Sequence, residues 1–114
     1  EVIVGLGGGS IMDCSKAIAF SACNEGDIFD YVYGRRKGAA ALPLILVPTT
    51  CGTGSEGNSF AVLTDDETKD KKSLRDNLVI AKASIVDPEL MKTMPKKTRC
   101  ATAWRPMWEK LPRP

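Results

Sequence analysis

Short apolar runs set off by glycine, proline and charged turns give this chain its pattern. Val2-Ile3-Val4, with Leu6, is apolar and β-branched and predicts a buried strand over Val2–Leu6. Ile11, Cys14, Ile18 and Ala22 recur at helical spacing and predict a helix over Ile11–Ala22, with Asn24 and Gly26 as the stop. Asp27 to Tyr31 suits a short helical turn. Leu42 to Val47, broken only by Pro43, predicts a second buried strand over Leu44–Val47. Phe60–Leu63 and Lys72–Leu74 flank a polar turn and predict a hairpin, and Ala83–Val86 a last strand stopped by Asp87-Pro88. Strands alternating with a helix indicate an α/β fold with a parallel sheet.

Composition narrows the class. With 114 residues the chain can hold one modest domain. It opens at Glu1 in what reads as a core strand, and a parallel strand needs neighbours, so a piece of a larger protein is expected. A net charge of +2 gives no footprint for nucleic acid or an anionic membrane. No apolar run approaches spanning length. Cys14, Cys23, Cys51 and Cys100 form no C-x-x-C pair and read as small buried or half-buried residues in a reducing cytoplasm. Histidine is absent, which removes Ser-His-Asp and Cys-His chemistry and histidine metal sites.

The chemistry concentrates at Gly7-Gly8-Gly9-Ser10, between the first strand and the helix. Three glycines leave backbone amides open to a ligand. Ser10 reads as the N-cap, with Asp13 completing a capping-box-like start. Strand, glycine turn and helix N-terminus make a phosphate cradle, because free N–H groups converge there and the helix dipole favours an anion. The plain alternative is a glycine turn joining a strand to a packed helix. The loop is neither Gly-x-x-x-x-Gly-Lys-Ser/Thr nor Gly-x-Gly-x-x-Gly.

A second loop, Pro48 to Asn58, follows the second strand and is dense in hydroxyls and glycine. The C-terminal end of a parallel strand is where open α/β sheets bind ligands. Gly34 to Gly38 is a basic loop, read as a solvated surface.

Gly7 to Lys16 has the form G-G-G-S-x-x-D-x-x-K, and Pro48 to Glu56 carries P-T-T-x-G-T-G-S-E. Together these resemble the iron-containing, metal-dependent alcohol dehydrogenases, and Asp87 to Pro95 is similar to that family's D-P-x-L…P passage. The resemblance implies a partial Rossmann-like nucleotide-binding domain of the dehydroquinate synthase-like fold over residues 1–103. It implies NAD or NADP as cofactor, with Gly8, Gly9, Ser10, Asp13, Thr49, Thr50, Lys72 and Leu90 as cofactor-binding residues. Lys71 competes with Lys72 for its place, and core packing competes for Leu90. Ser55 and Glu56 read equally as caps of a following turn. The family's activity is hydride transfer between an alcohol or aldehyde and nicotinamide, in an enzyme that is often homo-oligomeric. Fe²⁺ or another divalent metal assists in the family, and its aspartate and histidine ligands have no counterpart here. No catalytic or metal residue is therefore assigned, and the chain alone is expected to be inactive.

Residues 104–114 leave the family pattern and read as an aberrant tail, with three prolines and two tryptophans. Read one base earlier from a GCA codon for Ala103, the codons for Trp104 to Glu109 permit Met-Glu-Ala-Tyr-Val-Gly. Only its Val and Gly are forced by the codons, and the peptide is similar to the family's stretch after its first metal histidine, so a frame change is expected, with a divergent C-terminus as the competing reading. Two other readings stay open: a glycerol dehydrogenase-like member of the superfamily, and a non-enzymatic nucleotide-binding or structural module.

Overall fold

A computed structural model describes residues 1–95. The domain limit at 103, the helix expected to open at Thr98 and the tail 104–114 lie outside the described residues. The strands are β1 (Ile3–Gly7), β2 (Leu44–Pro48), β3 (Phe60–Thr64), β4 (Lys71–Arg75) and β5 (Ala83–Ser84). Among the described residues two α-helices accompany them, α1 (Gly9–Ser21) and α2 (Ile28–Val32). β1, β2 and β5 form a parallel sheet in the order β1-β2-β5, while β3 and β4 form an antiparallel hairpin. This is the α/β class expected from the apolar runs.

α1 is the wall shared by both sheets. Met12 and Ala19 pack with Leu44 and Leu46 of β2, while Phe20 packs with Ala61, Leu74 and Val79 on the hairpin side. Each large side chain buried this way contributes about 2 kcal/mol. The helix lies close to β1 because Gly5 faces it: a β-carbon there would come within 2.5 Å of Ser15 Oγ. Its C-terminus is held by Asn24, whose side-chain amide donates to the carbonyls of Phe20 and Ala40. Asn24 is thus the stop signal that the sequence indicates.

Several local expectations are corrected. Ser10 does not cap α1; Gly8 does, in extended conformation, and no side chain caps it. α1 begins at Gly9, ahead of Ser10, and Met12 N donates to Gly8 O at 3.0 Å to close the first turn. Ile11 and Ile18 are more than half exposed, and Cys14 and Ala22 also face outward. The buried stripe is Met12, Ser15, Lys16, Ala19 and Phe20, since two sheets pack there. Val2, Val4 and Leu6 are exposed rather than buried, because α1 covers only the Ile3 and Gly5 side of β1. Of Ala83–Val86 only Ala83 and Ser84 pair, and Ile85 and Val86 turn outward. Cys14 and Cys23 are exposed and Cys51 is half-buried.

Other elements form as read. The hairpin pairs Phe60 with Arg75 through Thr64 with Lys71. In the basic loop, Arg35 pairs with Asp30 at 3.2 Å and Arg36 donates to Glu25 O, so these cations brace the loop at the surface. Asp87 accepts from Glu89 N and starts the turn Pro88–Met91.

Candidate cofactor cradle

Parallel register brings the two sequence motifs to one edge. Gly7 stands opposite Pro48, and Thr49 N donates to Gly7 O at 2.9 Å. α1 begins at that edge, and the first amides of any α-helix have no intrahelical acceptor. No side chain caps α1, so the amides of Gly9, Ser10 and Ile11, in its first turn, have neither an intrahelical acceptor nor a side-chain cap.

Gly9 is needed for contact with the second loop, whereas a side chain on Gly8 would meet it at ordinary contact distance. A β-carbon on Gly9 would lie 2.7 Å from Thr53 Cγ2, and one on Gly8 would lie 3.4 Å from Thr50 Oγ1. Beside them is a cavity of about 310 Å³, bounded by Gly9, Ser10, Asp13, Thr53, Phe60 and Arg75. The Arg75 guanidinium lies over the Phe60 ring, 5.0 Å from its centroid.

Beneath the cradle is a buried polar network that ties α1 to the second loop. Lys16 is fully buried, and its Nζ donates to Ser55 Oγ at 3.0 Å and Phe60 O at 2.7 Å. It also reaches Asn58 O at 3.1 Å and Asn58 Oδ1 at 2.8 Å. Ser55 Oγ donates in turn to Asp13 Oδ1 at 2.5 Å, and Val62 N donates to Asp13 Oδ2 at 3.1 Å. Burial pulls the Lys16 ammonium below the ordinary lysine range, and the carboxylates of Asp13 and Glu56 push back.

Of the residues singled out by sequence, Gly8, Gly9, Ser10, Asp13, Thr49 and Thr50 thus lie around one edge. Asp13 acts differently from the capping role expected: both its oxygens accept from Ser55 and Val62. Ser55 likewise caps nothing; Gly54 precedes its turn, and Ser55 is buried in the network. Strand alternation puts Lys72 on the face of β4 that carries buried Leu74, with its Nζ 3.7 Å from Asp70. Lys71 shares the opposite face with Ser73 and Arg75, both of which border the cavity. Leu90 sits exposed on the turn Pro88–Met91, on the chain leaving the same end of β5.

Lys16, Thr53 and Asn58 fall within the two stretches that the sequence marks, but the sequence assigns them no site role. Lys16 had a signal: a lysine at helical spacing from Met12, Ala19 and Phe20 sits on the apolar face, where only a paired charge is stable. The acceptors, 39 to 44 residues away, were not visible.

Fold and site define an α/β unit whose glycine loop and threonine-rich second loop meet at the C-terminal edge of its parallel sheet. The family model for iron-containing alcohol dehydrogenase matches residues 1–88, and the chain belongs to that family. It is 40% identical over 102 residues to alcohol dehydrogenase 4 of Saccharomyces cerevisiae, covering 90% of this chain and 27% of that protein. To the probable NADH-dependent butanol dehydrogenase 1 of Bacillus subtilis it is 44% identical over 96 residues, covering 84% and 25%. Among solved structures, NADH-dependent butanol dehydrogenase A from Thermotoga maritima superposes with a TM-score of 0.84 at 40% identity, covering 90% and 26%. Sulfoacetaldehyde reductase from Bifidobacterium kashiwanohense, solved with NAD⁺, gives 0.83 at 38% identity, covering 90% and 27%. The chain spans about a quarter of the length of these relatives.

Proposed function

We propose that this chain is the cofactor-holding part of a nicotinamide-dependent alcohol dehydrogenase that interconverts an alcohol and an aldehyde. The observation that carries the reading is the approach of Gly9 to Thr53 beside the open amides of α1. Only a cradle without side chains lets a pyrophosphate meet that backbone. The amides of Gly9, Ser10 and Ile11 would hold the pyrophosphate of NAD or NADP, with the Ser10 hydroxyl beside them. Thr49 and Thr50 would border the dinucleotide channel, and Leu90 would pack on a ring of the cofactor. Lys72 is the lysine indicated by spacing to Asp87, while the pleat of β4 favours Lys71. When bound, the nicotinamide supplies the hydride acceptor for alcohol oxidation.

Iron is part of the family's description. Among the described residues no group of three His, Cys, Asp or Glu side chains is placed to hold a metal ion, and the sequence has no histidine. The residues described do not fit a divalent ion, so no step is derived through one. The whole enzyme is proposed to be cytoplasmic and to form homo-oligomers. Free Cys14, Cys23 and Cys51 suit a reducing compartment, and among the described residues no helix is long and apolar enough to cross a membrane.

Isothermal titration of the chain with NADH and NADPH tests the proposal. Saturable binding of either supports it; absence of binding to both overturns it.

A further inference from the structure

We infer that Lys16 is a positioning residue for the cofactor, setting the cradle's width from beneath without touching the ligand. The inference rests on the proposal that this chain binds a nicotinamide cofactor. α1 carries one side of the cradle at Gly9 and Ser10, while the segment Thr53 to Phe60 carries the other. Lys16 lies about two turns into α1 from Gly9, and its ammonium gathers the Ser55 hydroxyl, the Asn58 and Phe60 carbonyls and the Asn58 side chain. An ammonium has three protons, so these four acceptors converge on one saturated point. Asp13 completes the clamp through Ser55 and Val62 N.

This clamp decides how near Thr53 stands to Gly9. Gly54 (φ 65°) has open space where a β-carbon would point, with no heavy atom within 4 Å, so packing at Gly54 does not hold the loop. Ser55, the next residue, is buried and held by both Lys16 and Asp13. Without the ammonium, Ser55 Oγ and two carbonyls lose their buried donor, and such groups seek water by moving outward. The Thr53 side of the cradle moves with them, and the amides of α1 lose their opposing wall.

Lys16→Met keeps the length and apolar stem of the side chain and removes the charge. Titration of the 114-residue chain with NADH is expected to show a dissociation constant raised at least tenfold, with unchanged stoichiometry. A role in folding alone would lower the stoichiometry and leave the constant as it was. Hydrogen–deuterium exchange is expected to quicken in amides 53–62 while β1 and β2 stay protected. If Lys16→Met fails to fold, Ser55→Ala takes its place, with a roughly threefold rise in the constant expected. Wild-type affinity in the folded variant overturns the inference and leaves the cofactor reading standing. Failure of the unmodified chain to bind NADH or NADPH overturns both.

Discussion

Gly9 and Thr53 stand so close that a β-carbon on Gly9 would lie 2.7 Å from Thr53 Cγ2. At Gly8 the corresponding approach, to Thr50 Oγ1, is 3.4 Å. Gly9→Val is therefore expected to weaken NADH binding more than Gly8→Val does, and by at least ~10-fold, or about 1.4 kcal/mol. Titration of both variants checks the order. Equal, wild-type affinities would remove the cradle from the account.

Ser10 lies in the first turn of α1 but does not cap it. Ser10→Ala is expected to leave the melting temperature and helical circular dichroism unchanged while weakening NADH binding by about 1 kcal/mol. A fall in stability without a fall in affinity would return Ser10 to the capping role.

Asp65 closes the hairpin turn, accepting from Glu67 N at 2.9 Å and from Tyr33 Oη at 3.2 Å. The Glu67 amide, followed by the Thr68 and Tyr33 donors, outweighs burial and holds its carboxyl below the usual carboxylate range. A carboxylate whose pKa is lowered by folding stabilises above its unfolded value and loses that contribution as pH falls through the folded one. Urea unfolding is expected to show wild type more stable than Asp65→Asn at pH 7. The gap should narrow below about pH 4. A gap independent of pH would contradict the assignment.

Leu46 is fully buried between α1 and the parallel sheet. Leu46→Ala is expected to destabilise the chain by about 2–5 kcal/mol, through lost burial and the cavity left behind. Ile18→Ala, on the exposed face of α1, should change stability by about 0.5 kcal/mol or less. Paired denaturation curves compare them directly.

The sequence has no histidine, and no cluster of three ligands occurs among the described residues. The 114-residue chain is expected to oxidise no alcohol with NAD or NADP, with or without added Fe²⁺ or Zn²⁺. Metal-dependent turnover by the purified chain, followed at the nicotinamide absorbance, would refute this.

What the sequence determined by itself was local. Runs such as Leu44 to Val47, bounded by proline and threonine, predict short strands, and Gly7 to Gly9 mark a bare-backbone passage from strand to helix. The residue order of the two loops was enough to mark the family. Which face of α1 would be buried was not a local property. Ile11, Cys14 and Ile18 have the apolar period, but so do Met12, Ala19 and Phe20, and it is the second set that meets the two sheets, a choice made by packing against partners. The roles of Asp13, Lys16 and Ser55 were likewise left to the tertiary structure. A lysine can be buried only where acceptors converge, and those of Lys16 come from residues 55, 58 and 60, brought beside α1 only once the chain folds.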